Sequence, residues 1–187
     1  MKKYSVRLRS TTPLLLNVRQ KELDDELKEL KKDQLSEWEE KNWRRKAERD
    51  KKGNVILPLR WFRSAFIQAC KSSGLVPSFA TSKKQTYTRY AQSMVFQNTT
   101  FVLPEKDLKE YGAYVGAQGA GSKTKIWRIR PQIDEWETDI EIIDPFSRMS
   151  EKEFKELLDY SGMLVGVGDG RSLNFGRFEV VSIKEKK

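Results

Sequence analysis

The sequence predicts an α+β fold with the element order β-α-β-β-α-β, and three observations support this prediction. The chain begins with a segment that alternates apolar and polar residues, as a half-buried strand does, and its last apolar segment is also predicted as a strand. Two stretches between them repeat apolar residues at helical spacing. The other apolar segments are short and are predicted as strands. This order is that of the ferredoxin-like (RRM-like) fold, and 187 residues suffice for a domain with its own core.

The first strand and the first core helix are the clearest elements. Residues 4–9 alternate at period two, and Pro13 ends the run. Pro58 suits the first turn of a helix, and Gly74 closes that helix. The apolar residues at helical spacing between them are Trp61, Ala65, Phe66, Ala69 and Cys70.

The residue patterns in the middle of the chain predict strands. Residues 93–103 are predicted as one strand. Residues 126–130 and 136–143 are predicted as two strands joined around Pro131.

The residue patterns in the C-terminal part of the chain predict a helix and a final strand. Residues 151–160 place apolar side chains on one helical face, with Ser150 as the N-cap. Gly162 is expected to end this helix, and residues 175–183 form the last strand.

The segment 17–54 is predicted to be an insertion between the first strand and the first helix. Residues 21–52 contain 11 basic and 11 acidic side chains, so the whole formal charge of +9 lies elsewhere. Its N-terminal part is acidic and its C-terminal part is basic. A thin apolar stripe favours an exposed charged helix or helical hairpin over a disordered loop. Such a polarised helix could also meet a second copy head to tail.

The composition excludes several chemistries. Without histidine the chain has no Ser-His-Asp or Cys-His pair and no histidine metal site. A single cysteine, Cys70, excludes an internal disulfide and is expected to be buried. No signal peptide and no long apolar run is evident. We therefore expect a soluble cytoplasmic protein with no membrane association and no cofactor.

The first glycine-rich stretch, residues 112–124, nearly matches a phosphate-binding loop. The lysine comes one residue late, and a strand follows where that loop needs a helix. A nucleotide-hydrolysing site is therefore not predicted, and a flexible loop is the simpler interpretation. Lys123, Lys125 and Arg128 still make it a candidate phosphate-facing segment.

The second glycine-rich stretch, residues 166–178, precedes the last strand. Glycines allow backbone to approach a ligand closely, and they also allow a long turn with helix caps. Arg171 and Arg177 add positive charge, and Phe175 offers a stacking face. Both interpretations remain open.

Basic and aromatic residues interleave in three places, as a single-strand binder requires. Cations neutralise phosphates, and aromatic faces stack unpaired bases. The candidates are Arg60 and Arg63 in the first place, Lys83, Lys84, Tyr87, Arg89 and Tyr90 in the second, and Lys123, Lys125 and Arg128 in the third. Trp61, Phe62 and Trp127 are predicted as core residues, whereas Tyr87 and Tyr90 are predicted to be exposed.

Three segments resemble the repeat-associated RNA-binding (RAMP) superfamily, which includes backbone subunits of CRISPR surveillance complexes. Residues 162–181 are similar to its glycine-rich signature, residues 6–16 to its first strand, and residues 55–66 to its helix entry. The tail also resembles short phage proteins.

The resemblance implies a ferredoxin-like fold that binds single-stranded RNA and carries a large insertion after the first strand. The predicted function is therefore a non-catalytic subunit that binds single-stranded nucleic acid, most simply RNA, and assembles with copies of itself or with other subunits of a ribonucleoprotein. One alternative is a metal-dependent or histidine-free endoribonuclease, for which Asp24, Asp25 and Asp33 lie near the region of a superfamily aspartate. Another is a phage protein that uses the fold to bind protein or single-stranded DNA.

Overall fold

The computed structural model describes residues 1–18, 20–75, 77–80, 87–99, 101–116 and 125–186. The chain divides into two compact units. The first comprises residues 1–14, 57–102 and 134–187, and the second comprises residues 15–56 and 103–133.

The described elements are seven strands and five α-helices. The strands are β1 (Lys2–Ser10), β2 (Leu14–Leu15), β3 (Val95–Thr99), β4 (Lys109–Gly116), β5 (Lys125–Ile133), β6 (Glu137–Asp144) and β7 (Phe178–Lys186). The helices are α1 (Lys21–Glu29), α2 (Leu35–Asn42), α3 (Leu59–Ser72), α4 (Tyr87–Ser93) and α5 (Glu151–Tyr160).

The first unit has the ferredoxin-like fold that the sequence predicts. Its four-stranded antiparallel sheet has the order β3-β6-β1-β7. Helix α3, followed by the short added helix α4, lies between β1 and β3, and helix α5 lies between β6 and β7, so apart from α4 the unit follows the order β-α-β-β-α-β.

One face of this sheet packs against α3 and α5. Alternate residues of β1 point to that face, so Tyr4, Val6 and Leu8 are fully buried. The Tyr4 ring lies 4.7 Å from the ring of Phe154, which is 5.6 Å from Phe66 on α3. The core thus joins sheet and helices through aromatic contacts.

The second unit has a three-stranded sheet of order β2-β5-β4. Helix α2 packs against β5, and α1 precedes it. A short 3₁₀ helix (Lys32–Gln34) leads into α2, and another (Trp43–Lys46) follows it. The charged segment is therefore helical in several short pieces.

The antiparallel pair β4–β5 differs from the sequence prediction. Strand β4 begins before the stretch that was expected to be a glycine-rich loop and extends into it as far as Gly116, and β5 continues through Pro131 to Ile133. Pro131 fits because its carbonyl accepts a hydrogen bond from the Leu16 N–H at 2.8 Å, and this needs no donor on the proline. Strands β5 and β6 belong to different sheets.

Helices α4 and α5 also depart from the prediction. Helix α4 covers Tyr87–Ser93, a segment that the sequence does not predict to be helical. The N-cap at Ser150 is confirmed, since its side chain accepts a hydrogen bond from the Glu153 N–H. The prediction that Gly162 ends α5 is wrong: the chain continues as a π-helical turn, and Gly166 ends it with a φ of 73°.

Candidate nucleic-acid interface

The second glycine-rich stretch forms a loop, residues 166–177, that we call the tail loop. Its base is fixed by backbone hydrogen bonds: the Val167 N–H donates to Gly176 and the Gly176 N–H donates to Pro13, at 2.9 and 2.8 Å. The Arg177 N–H donates to the Thr12 hydroxyl at 2.9 Å. The tail loop is therefore held firmly against the turn that follows β1.

Packing explains three of the glycines in this region. A Cβ atom on Gly162 would lie 1.9 Å from the Phe178 carbonyl oxygen, and one on Gly176 would lie 1.8 Å from that of Val167. A Cβ atom on Gly166 would lie 2.8 Å from the Gly176 carbonyl oxygen. These glycines permit backbone to pack on backbone, which supports the structural interpretation of the motif at these positions.

The tip of the tail loop is exposed. Residues 171–174 are all exposed, and Phe175 is partly exposed. Arg177 supports the loop from within, because its Nη2 atom donates to the Arg171 carbonyl at 3.1 Å. Its Nη1 atom is buried without a hydrogen-bond partner among the described residues. Arg171 therefore presents its side chain outward, whereas Arg177 mainly holds the loop.

The start of α3 lies at the same end of the first unit as the tail loop. The Phe62 ring is 5.8 Å from Trp136, which precedes β6, and 5.9 Å from Phe178, which opens β7. Arg60 is exposed on this first helical turn. We call this region the loop end: the tail loop, residues 11–13 and the first turn of α3. Arg171, Phe175 and Arg177 lie on the tail loop itself, and Arg60 lies on the helical turn whose Phe62 contacts Phe178 directly after that loop.

The open face of the four-stranded sheet is neutralised by ion pairs. Basic residues of β1 lie opposite acidic residues of β6, with Arg7 at 3.0 Å from Asp139 and Arg9 at 2.9 Å from Glu137. Glu141 binds Lys3 and Lys186, and hydrogen bonds from Lys186, Lys3 and Asn98 lower its pKa to about 2. This face therefore has few unpaired cations for phosphates.

The prediction that Tyr87 and Tyr90 are exposed stacking residues is wrong. They are 3% and 8% exposed, respectively. The Tyr87 hydroxyl donates to Glu153 at 2.5 Å, and the Tyr90 hydroxyl donates to the buried Asp144. Burial raises the pKa of both phenols, and these hydrogen bonds to carboxylates add to the shift. The polar residues beside them in the sequence concealed their apolar environment.

Arg63 and Arg89 are exposed on α3 and α4. The Nη2 atom of Arg63 donates to the Gln92 carbonyl at 2.7 Å, so part of its guanidinium group ties α3 to the end of α4. Arg63 directly follows the first turn of α3, which belongs to the loop end, whereas Arg89 lies on α4.

The candidates on β5 differ from each other. Lys125 is exposed. Arg128 instead points to the helical side of the sheet, where its Nη1 atom lies 2.7 Å from the fully buried carboxylate of Glu39. Glu39 also binds Lys46 and accepts the Ile129 N–H at 2.9 Å. Arg128 is therefore part of an internal charge cluster, which argues against its predicted role as a phosphate-facing cation.

Trp127 is a surface residue, contrary to its predicted place in the core. It is partly exposed and lies opposite Tyr114 on β4, with ring centroids 5.0 Å apart. Tyr114 is 69% exposed and was missed by sequence reasoning, because it lies in the stretch expected to be a loop. Trp61 is partly exposed and Phe62 is buried.

The other predicted residues, Lys83, Lys84 and Lys123, lie outside the described residues. Within the described ranges, no group of three or more acidic or thiol side chains is arranged to hold a metal ion. Asp24 and Asp25 lie on α1, and Asp25 pairs with Lys28 at 2.8 Å. No helix in the described part of the chain is both long enough and apolar enough to cross a bilayer.

Comparison with known proteins gives a likeness of fold. No family model matches the chain, and no curated protein matches it. The chain is similar to one in the cryo-EM structure of the Type III-B Cmr-beta bound to cognate target RNA, with a TM-score of 0.54 and 10% identity. The likeness covers 100% of this chain and 61% of that one, so this chain spans less than two thirds of its neighbour's length. The likeness agrees with a RAMP-like fold.

Proposed function

We propose that this protein is a non-catalytic subunit that binds single-stranded RNA and assembles with other subunits along it. The observation that carries the proposal is the loop end, where a ferredoxin-like unit exposes Arg171 at the tip of the tail loop, with Phe175 partly exposed on the same loop and Arg60 exposed on the first turn of α3. The likeness of fold to a chain from an RNA-bound assembly supports the same function. So does the formal charge of +9.

We place the RNA at the loop end rather than on the open face of the sheet. Binding requires cations that can exchange their counterions for phosphates. On the open face, Arg7, Arg9 and Lys3 already form ion pairs with carboxylates. At the tip of the tail loop, Arg171 is exposed, and its side chain has no partner among the described residues.

Rigid support favours binding at this position. The base of the tail loop is pinned to the turn after β1 by backbone hydrogen bonds of 2.8 to 2.9 Å. A pre-formed loop loses less conformational entropy on binding than a mobile one. Arg171 is thus positioned to contact a phosphate, and Phe175 is the candidate residue for stacking a neighbouring base.

The test is fluorescence anisotropy with a labelled single-stranded RNA over a series of salt concentrations. We expect single strands to bind more tightly than duplexes, and affinity to fall as salt rises. The double variant Arg60→Gln with Arg171→Gln should weaken binding and reduce the slope of log affinity against log salt by about 1.4, since each phosphate contact to a single strand contributes roughly 0.7.

Arg7→Gln is the matched control, because it removes an exposed arginine of the open face that is paired with Asp139. We expect its salt slope to equal that of the wild type. An unchanged slope in the double variant would remove the loop end from the interface. Binding that does not respond to salt would refute the electrostatic mechanism.

Subunit association is tested separately. Analytical ultracentrifugation with RNAs of increasing length should show complexes whose mass grows stepwise with RNA length. A single protein per RNA at every length would contradict assembly along the strand.

A further inference from the structure

The β4–β5 pair carries an exposed aromatic pair that the loop end does not explain. The register places Tyr114 directly opposite Trp127, and their rings meet edge to face with centroids 5.0 Å apart. Cross-strand aromatic pairs stabilise antiparallel strands. They do not need to leave one ring 69% exposed, as Tyr114 is.

Gly112 on β4 makes room for the ring of Trp127 on the neighbouring strand β5. A Cβ atom on Gly112 would lie 2.2 Å from the Trp127 ring, so the indole rests on bare backbone. Gly112 and Tyr114 share a face of β4 because they are two residues apart. The indole is therefore fixed in place between glycine backbone and phenol ring.

The face that carries the pair is opposite to the helical side of this sheet. Arg128 points to the helical side, where it meets Glu39 of α2 at 2.7 Å. Side chains alternate along a strand, so Trp127 and Lys125 point the other way. Gly116 lies opposite Lys125 in the register, which leaves the backbone bare at that end too.

We propose that Tyr114 and Trp127 form a stacking platform for one unpaired base, with Lys125 contacting the adjoining phosphate. This inference rests on the proposed function and assigns a base contact in the second unit, in addition to the one proposed at Phe175 of the loop end. The chemistry fits, since a flat exposed ring accepts any base face and a neighbouring cation meets the backbone charge.

The experiment compares Tyr114→Leu with Tyr114→Phe in the full chain, using the same labelled single-stranded RNA. Leucine keeps apolar packing against Trp127 but has no ring, whereas phenylalanine keeps the stacking face. We expect Tyr114→Leu to weaken binding about tenfold and Tyr114→Phe to stay within about twofold of the wild type. Phe146→Leu, a ring that is 59% exposed in the first unit, is the control and should bind as the wild type does.

A second readout separates stacking from loss of the hairpin. An RNA containing single 2-aminopurine substitutions should lose emission when it binds the wild type or Tyr114→Phe, and should lose less with Tyr114→Leu. With an RNA that carries abasic residues, Tyr114→Leu and the wild type should bind equally, because no base is present to stack.

The outcomes distinguish this inference from the proposed function. If the wild type binds RNA with the expected salt dependence and Tyr114→Leu binds equally well, the platform is refuted and the proposed function stands. If Tyr114→Leu weakens binding to base-containing and abasic RNA alike, the ring does not stack a base, and the platform is again refuted. If the wild type does not bind single strands, the proposed function is refuted, and the platform is refuted with it.

Discussion

Replacing Glu39 with alanine should strongly destabilise the second unit. Glu39 is 0% exposed and binds three groups: the Lys46 ammonium, the Arg128 guanidinium at 2.7 Å and the Ile129 N–H at 2.9 Å. It thereby joins α2, the 3₁₀ helix that follows it, and β5. In Glu39→Ala all three groups lose their acceptor at once.

The largest cost comes from Lys46. Its side chain is only 8% exposed, and burial lowers the pKa of its ammonium group even though Glu39 acts in the opposite direction. Removing one partner of a buried ion pair costs about 3–5 kcal/mol because the other charge remains uncompensated. A buried N–H without an acceptor costs about 1–3 kcal/mol.

These costs overlap, because the groups share one carboxylate and the Lys46 ammonium keeps a hydrogen bond to the Ile129 carbonyl at 2.7 Å. We therefore expect a loss of about 3–6 kcal/mol. This is a large fraction of the roughly 5–15 kcal/mol that stabilises a typical domain.

Urea unfolding measures the effect. Tryptophan emission follows unfolding of both units, since Trp38, Trp43 and Trp127 lie in the second unit and the other two tryptophans lie in the first. The control is Glu40→Ala, which removes an exposed carboxylate from the next position of α2 and should change stability by less than about 0.5 kcal/mol. If Glu39→Ala is no less stable than Glu40→Ala, the buried cluster does not hold the unit together.

A companion variant tests the physical cause. Glu39→Leu combined with Lys46→Met removes both buried charges and should recover most of the loss, since apolar replacement of a buried pair is often neutral or stabilising. A double variant as unstable as Glu39→Ala would show that the loss does not arise from an uncompensated charge.

Three further predictions concern the first unit. Gly176→Ala should prevent stable folding of the tail loop, because its Cβ atom would lie 1.8 Å from a carbonyl oxygen at a φ of 70°, and a normal melting temperature would contradict this. Tyr87→Phe should cost about 1–2 kcal/mol by removing the hydrogen bond to Glu153. Burial alone would raise the pKa of Glu153, but hydrogen bonds from Tyr87, Ser150 and Ser78 hold it at about 2. Its stabilising contribution is therefore present above about pH 4.5 and lost as pH falls toward 2, so denaturation at stepped pH should show a smaller acid loss in Tyr87→Phe than in the wild type. Cys70 is buried with its pKa raised to about 12, so it should react with a thiol reagent only after unfolding, and fast labelling of the native protein would contradict its position.

The first unit was predictable where periodicity is strong. The alternation in residues 4–9 and the helical spacing of 61–70 depend only on which face of an element is buried. The same is true of α5, whose N-cap could be identified from Ser150 and the helical pattern that follows. Because the order of these elements follows the chain, the ferredoxin-like topology could be predicted before any contact was known.

The second unit was less predictable because its strands are unusual. Strand β4 contains glycines that suggest a turn, but one of them, Gly112, makes room for the ring of Trp127 on the adjacent strand. Strand β5 contains a proline that suggests a break, and its pairing requires only the proline carbonyl. In both strands, the reason for the residue is a partner that is not its neighbour in the sequence: Trp127 for the glycine and Leu16 for the proline.

The same distinction between local pattern and tertiary contact applies to the candidate site. The sequence alone determined that the protein is basic, that its net positive charge lies outside the charged segment, and that arginines occur in a glycine-rich tail, because these are properties of composition and order. Tertiary structure decided which of those side chains reach solvent: it buried Tyr87 and Tyr90, paired Arg128 with Glu39, and exposed Arg171 and Tyr114. Exposure and charge pairing depend on contacts between residues far apart in the chain, and no local pattern encodes them.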